Sequence, residues 1–268
     1  MIVIGERINA TTKRVAEAIV NKDATFIREL ARQQADAGSD YLDVNAGTGR
    51  GVEQEIVDIK WVIDTVQEAT DVPLCLDSSD PQVLLAAMAH YNGTEAMINS
   101  VNIDPNKLEP LGRLAAERQA SLVALVMREG GIPNTVKERL AASELIMTHL
   151  ARLGVREDQV FFDPLLLPIS VDTDQGLVTL KTIEQIKSRH PSAKTVLGLS
   201  NVSFGLPNRG IVNRAFLLMA ASAGLDAAIL DPLDVKIMSF VRVADMLTGK
   251  DASCREYIRA YRKGKLIE

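Results

Sequence analysis

Short β-branched segments alternate with longer amphipathic segments along the whole chain, and this alternation limits the possible folds more than any other feature. The predicted strands lie at residues 2–4, 41–45, 73–76, 95–98, 121–126, 159–162, 195–199 and 226–230. Between them apolar residues recur at helical spacing, as in Ile56, Ile59, Val62, Ile63 and Val66. Nearly every strand is followed by a helix and reads as apolar on both faces, which predicts parallel strands buried between helices.

Eight strand–helix units in one chain favour a closed (β/α)8 barrel, the TIM barrel of the α/β class. We expect a single domain over residues 1–268, because no low-complexity segment or proline-rich linker divides the chain. A doubly wound open sheet is the alternative fold. It is disfavoured because Gly47-Thr-Gly-Arg-Gly51 follows a strand but lacks the G-x-G-x-x-G spacing of a nucleotide site.

Composition and charge exclude several classes of function. Acidic residues outnumber basic ones by 35 to 30, and no basic run is interleaved with aromatics, so we expect no nucleic-acid binding. Cys75 and Cys254 give no disulfide framework, and with the histidines they lack metal-ligand spacing, so no bound metal is expected. Cys75 lies in an apolar run and is interpreted as a small buried side chain. Without an apolar run of about twenty residues, a membrane protein is not expected and a cytoplasmic location is predicted.

Polar side chains occur where the predicted strands end. They are Glu6, Asn9, Asp43, Asn45, Asp77, Asn99, Asp163, Ser200, Asn201 and Asp231. In a (β/α)8 barrel the carboxyl ends of the strands and the following loops form the active face. Cations are scarce there, and only Arg7, Arg128 and Arg209 lie nearby.

Turn chemistry and ligand binding are the two interpretations of these polar residues. The Asp-Pro pairs at 80–81 and 231–232 are ordinary helix caps or turns. A ligand is the better interpretation where polar groups end successive buried strands and need partners. Those groups are Asp77, Asn99, Asp163 and Asn201.

Carboxylates and amides suit a neutral heterocycle that offers several N–H donors and a carbonyl, because a carboxylate accepts paired hydrogen bonds and an amide both gives and accepts. A sugar site would recruit aromatic platforms, yet aromatic residues are only 4% of the chain. A phosphorylated ligand would need basic residues or a glycine-rich helix start at the last two strands. Gly198 and Arg209 lie near that position, so this alternative stays open.

Five motifs together resemble the methyltetrahydrofolate:corrinoid protein methyltransferases. The motifs are Gly5-Glu-Arg-Ile-Asn9, Leu76-Asp-Ser78, Met97-Ile-Asn-Ser100, Asp163-Pro-Leu-Leu-Leu-Pro168 and Thr195-Val-Leu-Gly-Leu-Ser-Asn-Val-Ser203. This family belongs to the pterin-binding barrel superfamily, with the folate domain of cobalamin-dependent methionine synthase and with dihydropteroate synthase. The resemblance spans almost the whole chain.

The resemblance implies a role for each matching residue. Asp77, Asn99 and Asp163 would bind the aminopyrimidone edge of the pterin, and Asn201 would lie near N5, the nitrogen that carries the methyl group. The pocket would be completed by Gly198 and Ser200, with a second tier comprising Glu6, Asn9, Asp43 and Arg209.

The implied reaction moves a methyl group between N5 of tetrahydrofolate and the cobalt of a corrinoid (cobalamin) carried by a partner protein. 5-Methyltetrahydrofolate is then a substrate or product, and the resemblance also implies a homodimer. No histidine or lysine stands at a strand end. Asn201, with Asp163 and ordered water, is therefore predicted to stabilise the protonated N5 by hydrogen bonding. Either direction is possible: from folate to corrinoid, or from methylcorrinoid to tetrahydrofolate during demethylation of amines or betaines.

Two other functions fit the same residues. A dihydropteroate synthase-like enzyme is one, although the opening loop and late basic motif of that family are missing from the chain. A non-catalytic pterin-binding protein is the other. Residues 204–207, Phe-Gly-Leu-Pro, differ from the more polar residues of the methyltransferases, so the corrinoid partner and its docking surface stay undetermined.

Overall fold

The β-branched segments form eight parallel strands that close into a barrel, which confirms the predicted fold. The structure, a computed structural model, describes residues 1–128 and 131–267. Glu129, Gly130 and Glu268, which the predicted domain includes, lie outside the described residues. Around the barrel the strands follow chain order, and the first strand pairs with both the second and the eighth. The strands are β1 (Ile2–Asn9), β2 (Tyr41–Asn45), β3 (Leu74–Asp77), β4 (Ala96–Val101), β5 (Ser121–Leu125), β6 (Val160–Asp163), β7 (Lys194–Gly198) and β8 (Ala227–Leu230).

Amphipathic helices surround the barrel and cover its outer face. They are α1 (Lys13–Val20), α2 (Ala24–Ala37), α3 (Val52–Gln67), α4 (Pro81–His90), α5 (Pro105–Arg118), α6 (Val136–Arg152), α7 (Gln175–Arg189), α8 (Arg209–Ser222), α9 (Val235–Leu247) and α10 (Arg255–Arg262). Short 3-10 turns occur at Glu157–Gln159, Leu199–Ser203 and Ala252–Cys254. Among the described residues, none of the helices has the length and apolar character that crossing a bilayer requires.

Local sequence signals set several helix ends. Asp80 accepts a hydrogen bond from the Gln82 N–H at 2.8 Å, with Pro81 as the first residue of α4. The capping interpretation of Asp80 is therefore confirmed. Gly38 ends α2 with a φ of 100°, a left-handed conformation that a side chain would strain.

The hydrophobic core has an inner and an outer part, because strand side chains alternate between the barrel interior and the helices. On β2, Leu42 and Val44 pack outward against the helices, whereas Asp43 lies in register with Cys75, which is inside and fully buried. The predicted buried cysteine is confirmed. The interior is filled by Ile4, Cys75, Met97, Val123, Phe161, Val196 and Ala227.

The structure differs from the predicted elements near the carboxyl ends of β1, β4 and β7 and in the helix α1, and β4 runs to Val101 rather than residue 98. The first strand does not stop at residue 4 but runs to Asn9, through a register shift between Gly5 and Ile8, so Glu6 and Asn9 lie in the strand. The helix α1 was not predicted, because its buried positions Val15, Ala18 and Ile19 span too short a segment for helical periodicity to stand out.

A further difference concerns the end of the seventh strand. Strand β7 ends at Gly198 rather than residue 199, and the chain continues as the 3-10 turn Leu199–Ser203. Leu199 and Val202 are both buried, and their three-residue spacing places them on one side of a 3-10 turn. Ser200 and Asn201 are consequently held on a turn and not on the strand.

Candidate functional site

Four polar side chains from three adjacent strands form two hydrogen-bonded pairs at the mouth of the barrel. Asn45 Nδ2 donates to Asp77 Oδ2 at 3.0 Å, and Asn99 Nδ2 donates to Asp43 Oδ1 at 3.4 Å. The strand register explains this grouping, because Asp77 on β3 lies opposite Asn99 on β4. Two of the predicted pterin-binding residues are thus neighbours.

Asp43 lies deepest in this group and is buried within the barrel. Burial raises the pKa of its carboxyl well above the ordinary range, and the nearby Asp77 raises it further. Hydrogen bonds with Cys75, Asn99 and Asn9 act in the opposite direction. A neutral Asp43 that accepts from Asn99 Nδ2 fixes the orientation of that side-chain amide. The side-chain oxygen of Asn99, Oδ1, is thereby left available.

Asp77 is the half-buried carboxylate above this layer. Burial raises its pKa to about 6, the Asn45 hydrogen bond opposes the rise, and Glu55 adds to it. Glu55 itself is held by Ser78, whose hydroxyl donates to Glu55 Oε1 at 2.6 Å. At neutral pH Asp77 is therefore mainly ionised and acts as a hydrogen-bond acceptor.

Asp163 ends β6 on the other side of the mouth. Burial raises its pKa to about 6, while the Leu165 N–H, which donates to Asp163 Oδ1 at 2.8 Å, and the charge of Arg139 oppose the rise. Like Asp77, it is mainly ionised at neutral pH. The two ionised carboxylates, Asp77 on β3 and Asp163 on β6, are thus separated by the strands β4 and β5.

The 3-10 turn after β7 carries the remaining predicted pocket residues. The Asn201 side chain is exposed at the mouth, so the expectation of a buried strand end was wrong for this residue. Gly198 lies beneath it, since a Cβ at Gly198 would be 3.1 Å from Asn201 Nδ2. Arg209 holds the turn by donating to the Ser200 carbonyl at 2.6 Å and to Ser203 Oγ at 3.0 Å.

The second-tier residues divide between two places. Asn9 makes a side-chain hydrogen bond with Asp43, and its side-chain oxygen accepts from the Thr11 N–H at 3.0 Å. Glu6 lies half-buried in β1, where burial and then Asp231 raise the pKa of its carboxyl against the charges of Arg7 and Arg209. Asp231 accepts from the Leu233 N–H at 2.9 Å, which confirms its predicted turn role.

Two residues at the site were not assigned by the sequence. Asn45 was recognised only as a strand end, although its amide bonds Asp77 directly. Arg139 was not recognised at all; it is fully buried and donates to Gln175 Oε1 at 2.7 Å, Thr179 Oγ1 at 3.2 Å and the Pro133 carbonyl at 2.9 Å. The only sequence signal for Arg139 is a cation within an otherwise apolar helix face.

The geometry suits a flat polar ligand that donates several hydrogen bonds. Asp77, Asn99 and Asp163 lie at or near the carboxyl ends of β3, β4 and β6, where the barrel opens, and Asn201 lies on the turn after β7. In the part of the chain that the structure describes, no cluster of three histidine, cysteine or carboxylate residues is arranged to hold a metal ion. Among the described residues, the groups that this mouth offers to a reaction include carboxylates, amides and the Arg209 guanidinium.

Comparison with known proteins identifies relatives of the whole chain. The family model described as pterin binding enzyme matches residues 5–231. The methylcorrinoid:tetrahydrofolate methyltransferase of Eubacterium limosum is 36% identical over 268 residues, covering 99% of this chain and 98% of that protein. The methionine synthase of Mycobacterium tuberculosis is 32% identical over 243 residues, which are 85% of this chain but only 20% of that much longer protein.

Solved structures share the fold at low sequence identity. Dihydropteroate synthase from Clostridium difficile superimposes with a TM-score of 0.72 at 14% identity, covering 92% of this chain and 96% of that one. The enzyme from Xanthomonas albilineans in complex with 7,8-dihydropteroate gives a TM-score of 0.67 at 18% identity, covering 94% and 93%. At these identities the likeness concerns the barrel alone.

Proposed function

Because the chain belongs to the family of pterin-binding enzymes, we propose that it transfers a methyl group from a methylated corrinoid to N5 of tetrahydrofolate. The sequence predicted folate–corrinoid methyl transfer without choosing a direction, and the relative that matches over the whole length confirms that class of reaction. The name of that relative places the methyl group on the corrinoid first. We adopt the same direction here, with the corrinoid carried by a partner protein as the second substrate.

The arrangement of Asp77, Asn99 and Asp163 is the observation that carries the proposal. The aminopyrimidone edge of a pterin offers several N–H donors next to one carbonyl, and ionised carboxylates accept such donors in pairs. Asn99 contributes its side-chain oxygen Oδ1, because its Nδ2 already donates to Asp43 Oδ1 at 3.4 Å. The three side chains would fix the pterin with its N5 edge towards β7.

In the methyl transfer step, the N5 lone pair attacks the methyl carbon while the cobalt–carbon bond breaks. Both electrons of that bond remain on cobalt, which becomes cob(I), and N5 becomes a positively charged ammonium that then loses its proton to water. The side-chain oxygen of Asn201, Oδ1, would accept a hydrogen bond from the N5 N–H as this charge develops. Such preorganised dipoles are more effective in a sheltered pocket than in bulk water.

Asp163 has a supporting part in this step. An ionised carboxylate near the pterin stabilises the positive charge on N5, and Arg139 together with the Leu165 N–H keeps Asp163 ionised despite its burial. Gly198 allows the Asn201 amide to lie close to the strand, and Arg209 holds the turn that carries it. The methyl donor then has to approach from the open mouth.

We also propose that two copies of the chain associate through the outer faces of α7 and α8. Leu177, Ile211 and Met219 are exposed there and line an apolar groove of ≈ 380 Å³. Exposed apolar patches of this kind commonly mark protein interfaces. Leu177→Glu should yield a monomer by light scattering where the unchanged protein is a dimer, and a monomeric unchanged protein would contradict the proposal.

The cytoplasmic location stays a prediction.

The experiment that tests the function mixes the purified protein anaerobically with methylcobalamin and tetrahydrofolate. The expected result is catalysed formation of cob(I)alamin, monitored by its absorption, together with an equal amount of 5-methyltetrahydrofolate. A matched control is the Asp77→Asn, Asp163→Asn double variant, which should lose the activity while remaining folded. Tetrahydrofolate binding without any methyl transfer would instead indicate the non-catalytic pterin-binding protein.

A further inference from the structure

Three exposed apolar side chains lie on loops that follow three consecutive strands. Ile132 after β5, Val171 after β6 and Phe204 after β7 are 37%, 83% and 63% exposed. The other large apolar side chains that are exposed among the described residues lie on helices or in the C-terminal tail. Ile132, Val171 and Phe204 are called the apolar rim below.

The other half of the mouth has a different character. In the loops after β1 to β3 the exposed side chains are polar, namely Thr11, Thr12, Arg50 and Ser79, and residues 102–104 after β4 expose none. Among the described residues of the mouth, exposed large apolar side chains therefore occur only after β5 to β7, where they lie among exposed polar side chains such as Arg128, Asp172 and Arg209.

Hydrogen bonds between neighbouring loops hold the apolar rim in place. The Ile169 N–H donates to the Val202 carbonyl at 3.1 Å, and Ser170 Oγ donates to the Phe204 carbonyl at 2.7 Å. These two bonds tie the loop that carries Val171 to the one that carries Phe204. A surface that is ordered before binding loses less conformational entropy when a ligand docks.

Phe204 is directly connected to the turn that carries Asn201. The Phe204 N–H donates to the backbone carbonyl of Asn201 at 3.2 Å, and the Phe204 ring centroid lies 6.0 Å from the guanidinium carbon of Arg209. Arg209 in turn bonds the Ser200 carbonyl at 2.6 Å. Phe204 is thus tied through its backbone to the turn that carries the Asn201 amide.

We propose that the apolar rim receives the edge of the corrin ring of the methyl donor. The inference rests on the proposed function, because in-line transfer to N5 requires the ring plane to lie across the mouth with its cobalt–carbon bond towards Asn201. The periphery of a corrin carries methyl groups, which pack against apolar side chains, and neutral amides, which hydrogen-bond to polar side chains beside them. Phe204 and Val171 are the expected contacts, and Phe204 offers the flat aromatic surface that dominates such interfaces.

The test compares binding and turnover of free methylcobalamin in surface variants. Phe204→Ser and Val171→Ser should each weaken methylcobalamin binding in equilibrium dialysis, and together by about tenfold. In turnover the KM for methylcobalamin should rise by the same factor, with the tetrahydrofolate KM unchanged. Leu145→Ser and Val57→Ser, which remove exposed apolar side chains from α6 and α3, are the matched controls and should change neither value.

The Val171→Ser variant distinguishes a direct corrin contact from an indirect effect on the Asn201 turn. This variant leaves the Phe204–Arg209 contact in place, so its effect cannot arise from displacement of Arg209. Unchanged methylcobalamin affinity in both rim variants, or no binding to the unchanged protein, would overturn the apolar rim as a corrin surface. Rim-dependent binding without methyl transfer would contradict the proposed function alone, while methyl transfer that is insensitive to the rim would contradict the inference alone.

Discussion

The side-chain amide of Asn45 is hydrogen-bonded at both ends, and its donor end is directed at Asp77. Asn45 Nδ2 donates to Asp77 Oδ2 at 3.0 Å, while Asn45 Oδ1 accepts from the Gly47 N–H at 2.9 Å. The amide is therefore held in one orientation. One oxygen of Asp77 is occupied by Asn45, and the other remains for a ligand.

Replacing Asn45 by alanine should weaken tetrahydrofolate binding through Asp77. The lost hydrogen bond lets burial raise the pKa of Asp77 above its value of about 6, so less carboxylate is ionised at neutral pH. We expect about a three- to tenfold loss of affinity at pH 7, and a higher pH midpoint for binding. Tetrahydrofolate titrations between about pH 5 and about pH 8 measure both quantities.

Asp80→Ala is the control for Asn45→Ala. Asp80 caps α4 just beyond β3, so its loss should reduce stability without moving the pH midpoint of binding. An unchanged midpoint in Asn45→Ala would show that Asn45 does not tune Asp77.

Adding one methyl group at Gly198 should impair turnover more than binding. A Cβ there would lie 3.1 Å from Asn201 Nδ2, closer than an ordinary contact, so the amide has to move. We expect Gly198→Ala to lower kcat by about tenfold, because small displacements of a stabilising group strongly affect rate. Gly176→Ala is the matched control, since its Cβ would meet Ile169 at an ordinary 3.4 Å. Equal kcat in the two variants would contradict the placement of Asn201 at the reacting atom.

Asp163→Asn should stabilise the fold while weakening pterin binding. The folded-state pKa of Asp163, about 6, exceeds its ordinary value of 3.8, so the folded state binds this proton more tightly than the unfolded state. The ionised carboxylate consequently destabilises the fold, and the penalty is absent below about pH 4, grows as the pH rises and is complete above about pH 6. Removing the charge should add about 1–3 kcal/mol to the free energy of unfolding at pH 7.

Urea denaturation of both proteins at several pH values measures this difference. The variant should exceed the unchanged protein at pH 7, and the gap should close towards pH 4. Tetrahydrofolate binding should be weaker in Asp163→Asn at pH 7. A variant that is less stable at pH 7, or one that binds tetrahydrofolate normally, would remove Asp163 from its assigned role.

The barrel and the position of its mouth could be predicted from the sequence because both depend on local patterns. Strand runs such as Tyr41–Asn45 end in polar residues, and a parallel barrel brings all such ends to one face. The pattern accordingly predicts Asp77, Asn99 and Asp163 at that same face.

The contacts within the site could not be predicted, because they depend on register and on tertiary position. The Asn45–Asp77 bond requires β2 and β3 to align with Val44 opposite Leu76. Arg139 approaches Asp163 from a helix more than twenty positions earlier in the chain, and nothing in its local sequence indicates a site. The 3-10 turn at Leu199–Ser203 resembles the end of a strand in composition, so the exposure of Asn201 was missed.

The role of Asn201 is tested most directly by comparing Asn201→Ala with the unchanged protein in a single-turnover reaction with methylcobalamin and tetrahydrofolate. The unchanged protein should form 5-methyltetrahydrofolate and cob(I)alamin in equal amounts. Asn201→Ala should react about a hundredfold more slowly while its tetrahydrofolate dissociation constant stays within about threefold, because the amide acts on the charge that develops at N5. Equal losses in rate and affinity, or no methyl transfer by the unchanged protein, would contradict the proposed mechanism.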